Sequence, residues 1–145
     1  MAARRYSSRF AALRRGRPEV VDDRSDRHDD AAVRASGLMS EALERVKRAR
    51  GALYDLHQLI GGADNQLDEV VDALRKAGFP DLADEVQKDL IGIDVLPGRW
   101  TFQVVEEFED GFYARWKETE RKVRQVTVGG ERHVLEARMK RERQR

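Results

Sequence analysis

The chain has no cysteine, three prolines, three histidines and no apolar run near the length of a membrane span. Without cysteine there can be no disulfide, no thiolate zinc site and no cysteine-ligated cluster, a usage that fits a cytoplasmic protein. A spanning helix needs about 20 consecutive apolar residues, and the N-terminus also lacks the apolar stretch of a secretory signal.

Nucleophiles are scarce too. All five serines (Ser7, Ser8, Ser25, Ser36 and Ser40) fall in the first 40 residues, while a hydrolase needs a nucleophile, a base and a group that orients the base. His28 lies among them, and His57 and His133 sit on separate elements. The residues three before these histidines are Ser25, Tyr54 and Gly130, so the Glu-x-x-His step of a di-iron bundle is missing. Glu106, Glu107, Glu109 and Asp110 form an acidic cluster, but neighbours on a helix splay by roughly 100° each, which reads as a solvated face. Gly61-Gly62 and Gly129-Gly130 match no phosphate-binding motif. The sequence therefore predicts no catalytic residue, no cofactor and no metal.

What is present is charge. Charged residues make up 38% and hydrophobic ones 40%, the balance of amphipathic helices with wide polar faces. The net charge of +1 is unevenly spread: residues 1–17 carry six arginines and no acid, 64–98 nine acids against three bases, and 121–145 nine bases against three acids.

The spacing predicts an all-α fold, a small antiparallel bundle of about four main helices with a short basic C-terminal helix. Its expected divisions are a disordered arginine-rich tail at 1–36, a bundle at 37–128 and a basic extension at 129–145. In the tail, Tyr6, Phe10 and Leu13 share one face of a transient amphipathic helix, while 19–30 is crowded with acids and arginines and offers too little apolar surface to offset ordering.

Ser36 or Ser40 is the expected cap of a first helix whose apolar residues Met39, Ala42, Val46, Ala49, Leu53, Leu56 and Ile60 form an unbroken coiled-coil heptad, packed along its whole length. Gly61-Gly62 is expected to end it. Asp64 or Asn65 then starts a second helix, closed by Gly78 with Phe79 turned back onto Leu74, and Pro80 opens a third.

Pro97-Gly98 reads as a type II turn inside the apolar loop 92–100. From Trp100 or Thr101 a long helix should bury Phe102, Val105, Phe112, Trp116, Val123 and Val126, with Phe112 and Trp116 against Val46, Leu53 and Leu56. After Gly129-Gly130 the chain resumes as a basic helix, with a hairpin through the two glycines as the alternative.

Three functional expectations follow. The first is a non-enzymatic protein-interaction or adaptor module in the cytoplasm, working through helix faces and Leu96, Arg99 and Trp100 of the apolar loop, because Trp and Arg dominate binding hot spots. The second is a nucleic-acid or ribosome-associated protein using basic termini, with Arg138, Lys140, Arg141 and Arg143 as phosphate contacts. The third is a small-molecule binder or enzyme with a pocket near His57 and Trp100, lined by Arg99, Glu107, Tyr113 and Arg115. A protein partner leads among the expected partners, nucleic acid and a homodimer are allowed by composition, and no membrane span is expected.

Overall fold

A computed structural model describes residues 22–145, and they are all-α, four helices and a short basic C-terminal one. After a 3-10 turn at Arg24–Arg27, the chain forms α1 (Asp30–Lys76), α2 (Pro80–Asp89), α3 (Thr101–Glu107), a π segment (Phe108–Tyr113) continuous with α4 (Ala114–Val128), and α5 (Val134–Arg143). The 1–21 portion of the expected tail, with the Tyr6–Phe10–Leu13 face, lies outside the described residues. Residues 30–36, also expected in the tail, are helical, because Asp29 rather than Ser36 or Ser40 caps α1, its Oδ2 accepting from Ala31 and Ala32 N–H at 2.9 and 3.3 Å.

The largest departure from expectation is at Gly61-Gly62. The helix runs through both glycines, so the two helices expected on either side are one of 47 residues, about 70 Å long. Neither glycine takes a positive φ. Gly in a helix interior costs about 1 kcal/mol relative to Ala, a cost that contacts made beyond the pair by α1, such as the buried Val71, offset. Asp64, expected as a cap, instead sits mid-helix and accepts the Gly92 N–H at 2.8 Å.

The end at Gly78 follows the sequence. Gly78 has φ +87°, its N–H donates to Arg75 O, and Phe79 N–H reaches Leu74 O at 2.9 Å, a Schellman ending. Arg99 N–H donates to Leu96 O at 2.8 Å across Pro97-Gly98, with Gly98 at φ +73°, as the type II turn requires. Gly129 and Gly130 both adopt positive φ and the chain resumes as α5, so the expected basic helix forms and the hairpin does not.

From α2 onward the chain turns back along α1. Asp64 meets Gly92, His57 Nδ1 lies 2.7 Å from Thr101 Oγ1, Arg50 pairs with Glu109, and Ser40 Oγ donates to Glu120 Oε1 at 2.9 Å. These contacts set the register of an antiparallel hairpin with a largely polar middle.

The row of α1 turned to the return arm is Ser36, Leu43, Arg50, His57, Asp64 and Val71, every seventh residue. The expected heptad lies beside it: Met39, Val46 and Leu53 are half-buried, while Ala49, Leu56 and Ile60 are exposed. Apolar packing is concentrated at the two ends. Val33, Val128 and Val134 form one cluster with Leu135, which packs against Gly37, where an added Cβ would come within 2.8 Å of the Leu135 Cβ. Val71 and Ala83 are the buried pair at the other end.

The π segment explains a second departure. An i→i+5 turn holds one extra residue and rotates everything after it by about 100° relative to an uninterrupted α-helix. Thr101 and Val105 are buried before it; from its last residue onward the buried positions are Tyr113, Glu120 and Val128. Phe112, expected in the core, is 52% exposed, Val126 points to solvent, and Trp116 is half-buried.

Candidate functional site

The loop between α2 and α3 is built by short-range bonds. Asp94 Oδ2 accepts Gly98 N–H at 3.0 Å, Val95 N–H donates to Arg99 O at 3.0 Å, and Trp100 Nε1 donates to Gly92 O at 3.2 Å. Trp100 also precedes α3 as its cap, its N–H bonded to Gln103 Oε1 at 2.9 Å. The backbone is therefore fixed while the apolar side chains face out. Trp100 is 49% exposed, and Ile93, Val95 and Leu96 are exposed with it. Phe79, Leu82 and Leu90 from α2 and its flanks are exposed at the same end of the hairpin.

Between this loop and α1 lies a cleft of about 180 Å³, walled by Ile60, Asp64, Ile93, Trp100 and Thr101. Ligand pockets are commonly larger, roughly 300 Å³ and above. The residues expected to line a small-molecule pocket are not brought together. Arg99 Nε pairs with Glu107 Oε1 at 2.6 Å, and His57 is bonded to Thr101 behind the cleft. Tyr113 stacks under Arg50 and Lys117, at 5.2 and 4.7 Å from the ring centroid, and Arg115 lies beside Trp116 and Met39. The acidic cluster is likewise dispersed, with Glu107 on Arg99 and Glu109 on Arg50. Among the described residues no three His, Asp or Glu side chains converge as metal ligands.

The basic C-terminal helix meets a partner the sequence reading missed. Arg138 Nη1 pairs with Asp30 Oδ1 at 2.6 Å, and Arg141 grips Asp26 in a two-pronged pair, with Nη2 at 2.6 Å from Oδ1, while also bonding Ser25. The Arg141 hydrogen bond holds the Asp26 carboxyl below its usual range, and Asp26 in turn raises Arg141. Arg27 pairs with Glu131 at 2.7 Å, and Ser25 is fully buried. The signal was the opposite charge of 22–30 and 138–145, two segments weighed separately. Lys140 and Arg143 stay exposed.

Among the described residues no helix is long and apolar enough to cross a membrane. No family model, curated protein or solved structure matches the chain.

Proposed function

We propose that the chain is a non-enzymatic protein-interaction or adaptor module of the cytoplasm, and that it docks its partner through the end of the hairpin formed by α2 and the loop after it. The observation that supports this most is the cluster of large apolar side chains held outward there, Phe79, Leu82, Leu90, Ile93, Leu96 and Trp100, on a backbone tied down by hydrogen bonds. An apolar patch on a fixed scaffold is what a protein interface needs, because little ordering entropy remains for binding to overcome. Leu96 and Trp100 serve as the anchors and Arg99 as the polar contact at the rim.

The surrounding segment 64–98 carries nine acids against three bases, so the fitting partner presents an apolar helix or strand edged by Lys or Arg. A nucleic acid is a poorer fit for this end, and at the other end Arg138 and Arg141 are engaged by Asp30 and Asp26.

The test compares partners captured from the native host at physiological salt by the intact chain and by a Leu96→Ala/Trp100→Ala variant. Loss of specific captured proteins, with the melting curve unchanged, is the expected result. An identical captured set would reject this surface as the docking site.

A further inference from the structure

The side of α1 turned away from the return arm keeps a regular apolar face. Ala42, Ala49, Leu56, Ala63 and Val70 recur every seven residues, and Ala52, Leu59 and Ala73 recur in the adjoining row, which Arg45 and Gln66 interrupt. Leu59 is 73% exposed and Leu56 43% exposed at the centre of this face. A seven-residue repeat on a helix this long is the pattern of helix pairing, and nothing within the described residues covers it.

We infer that this face pairs with the same face of a second copy of the chain, antiparallel, with Leu56 against the partner's Leu59 at the two-fold axis. Charge selects both the occupant and the register. One flank of the face is the row Glu41, Arg48, Asp55, Gly62, Glu69 and Lys76, all exposed. With Leu56 on the partner's Leu59, Arg48 falls beside the partner's Glu69 and Glu41 beside the partner's Lys76. Asp55 meets the partner's Gly62.

Sliding the pair by one heptad in one direction sets Glu41 beside the partner's Glu69 and Asp55 beside the partner's Asp55. Sliding it the other way sets Arg48 beside the partner's Lys76 and Asp55 beside the partner's Glu69. A parallel pair would instead lay this charged row along the partner's apolar flank, leaving its charges without partners of either sign. Like charges at flanking positions select against a pairing, and opposite ones steer it.

The other flank is apolar throughout. In the same register Leu53 lies beside the partner's Ile60, Val46 beside the partner's Leu67, and Met39 beside the partner's Leu74. This row, half-buried except at Ile60, thus widens the seam, and roughly 50 Å of each helix is in contact at about 1.5 Å per residue. The pairing uses neither Leu96 nor Trp100, so it stands apart from the proposed docking end.

Sedimentation equilibrium of the full chain at physiological salt measures the association. The intact chain should be a dimer, Leu59→Glu a monomer with the same helical content, and Arg48→Glu should weaken the dimer by roughly tenfold or more, with Arg48→Glu/Glu69→Arg restoring it. Because the chain has no cysteine, orientation follows from single-cysteine variants. Ala52→Cys mixed with Ala63→Cys should cross-link on oxidation, and Ala52→Cys alone should not. A monomeric intact chain would overturn the proposal and leave the face to a helix of another protein or to the chain's own Tyr6, Phe10 and Leu13. A dimeric Leu59→Glu, or self-cross-linking of Ala52→Cys, would overturn it as well.

Discussion

The two ends of the hairpin draw on similar side chains and finish them differently. At the end holding the N-terminus of α1, Val33, Val128 and Val134 close on one another, Leu135 packs on Gly37, and Arg138 and Arg141 seal the outside through Asp30 and Asp26. At the far end, Val71 and Ala83 are the buried apolar residues, and Leu82, Leu90, Ile93 and Leu96 remain in water. The near end has a third helix, α5, laid over the α1–α4 pair. The far end has one short helix, and α2 offers too little surface to cover what α1 and the loop display. Hydrophobic content alone therefore does not make a core; a further layer has to lie over it.

The contrast breaks most visibly at the residue that joins the ends. Tyr113 is buried between Arg50 and Lys117, and Tyr113→Ala should cost about 3 kcal/mol in denaturant melts, as large-to-small changes at buried aromatics do. Phe112→Ala, one residue away and exposed, should cost well under about 1 kcal/mol. A reversal of that order would show that the helix runs without the π segment.

Next in size is the pair Val128→Ala and Ile93→Ala. The first opens a cavity in the near cluster and should cost about 2 kcal/mol. The second trims an exposed side chain and should change stability by no more than about 0.5 kcal/mol. Equal losses would mean that the far end is packed as tightly as the near one.

Smaller effects are expected at the double glycine. An added Cβ meets nothing within 4 Å at Gly61 or Gly62, and both lie in a continuous helix, so Gly61→Ala and Gly62→Ala should each raise stability by about 0.5 to 1 kcal/mol. If these glycines instead ended a helix with positive φ, the same substitutions would destabilise, and thermal melts separate the two by sign.

The smallest effect concerns the seal of the near end. Asp26 is held below its ordinary pKa by the hydrogen bond from Arg141, so its contribution is full at neutral pH and is lost as pH falls from the unfolded carboxylate value through the lower folded one. Amide exchange at residues 24–27 should therefore accelerate on acidification. Asp26→Asn should show the faster exchange already at neutral pH, and exchange that ignores both acid and substitution would count against the ion pair as the fastener.

Much of this fold was legible in the sequence where a single residue dictates local geometry. Gly78, Gly98 after Pro97, and Gly129-Gly130 before α5 each take a positive φ that few residues supply, and each turn appears where it was expected. The reading failed where the outcome depended on something distant. Gly61-Gly62 is a stop signal only when the chain beyond it has a reason to leave the helix axis, and here the Asp64 contact to Gly92 and the burial of Val71 hold it on that axis. The acidic run at 22–30 looked solvated because its cations lie more than a hundred residues away. The apolar loop was found, but whether it plugs the hairpin or faces out depends on the number of helices above it, which periodicity does not report.

The π segment has one more consequence. A turn with one residue too many works like a vernier between two rulers, since the stretch before it and the stretch after it keep their own phase against α1. Winding Phe108–Tyr113 as plain α-helix with no residue lost would bring the rulers back into step, carrying Phe112, Trp116 and Val123 inward and Tyr113, Glu120 and Val128 outward, whereas deleting one residue there would leave α4 in its present phase. The chain thus holds a second, more apolar register in reserve, and the π turn keeps Glu120 on Ser40 and leaves Phe112 toward the outside.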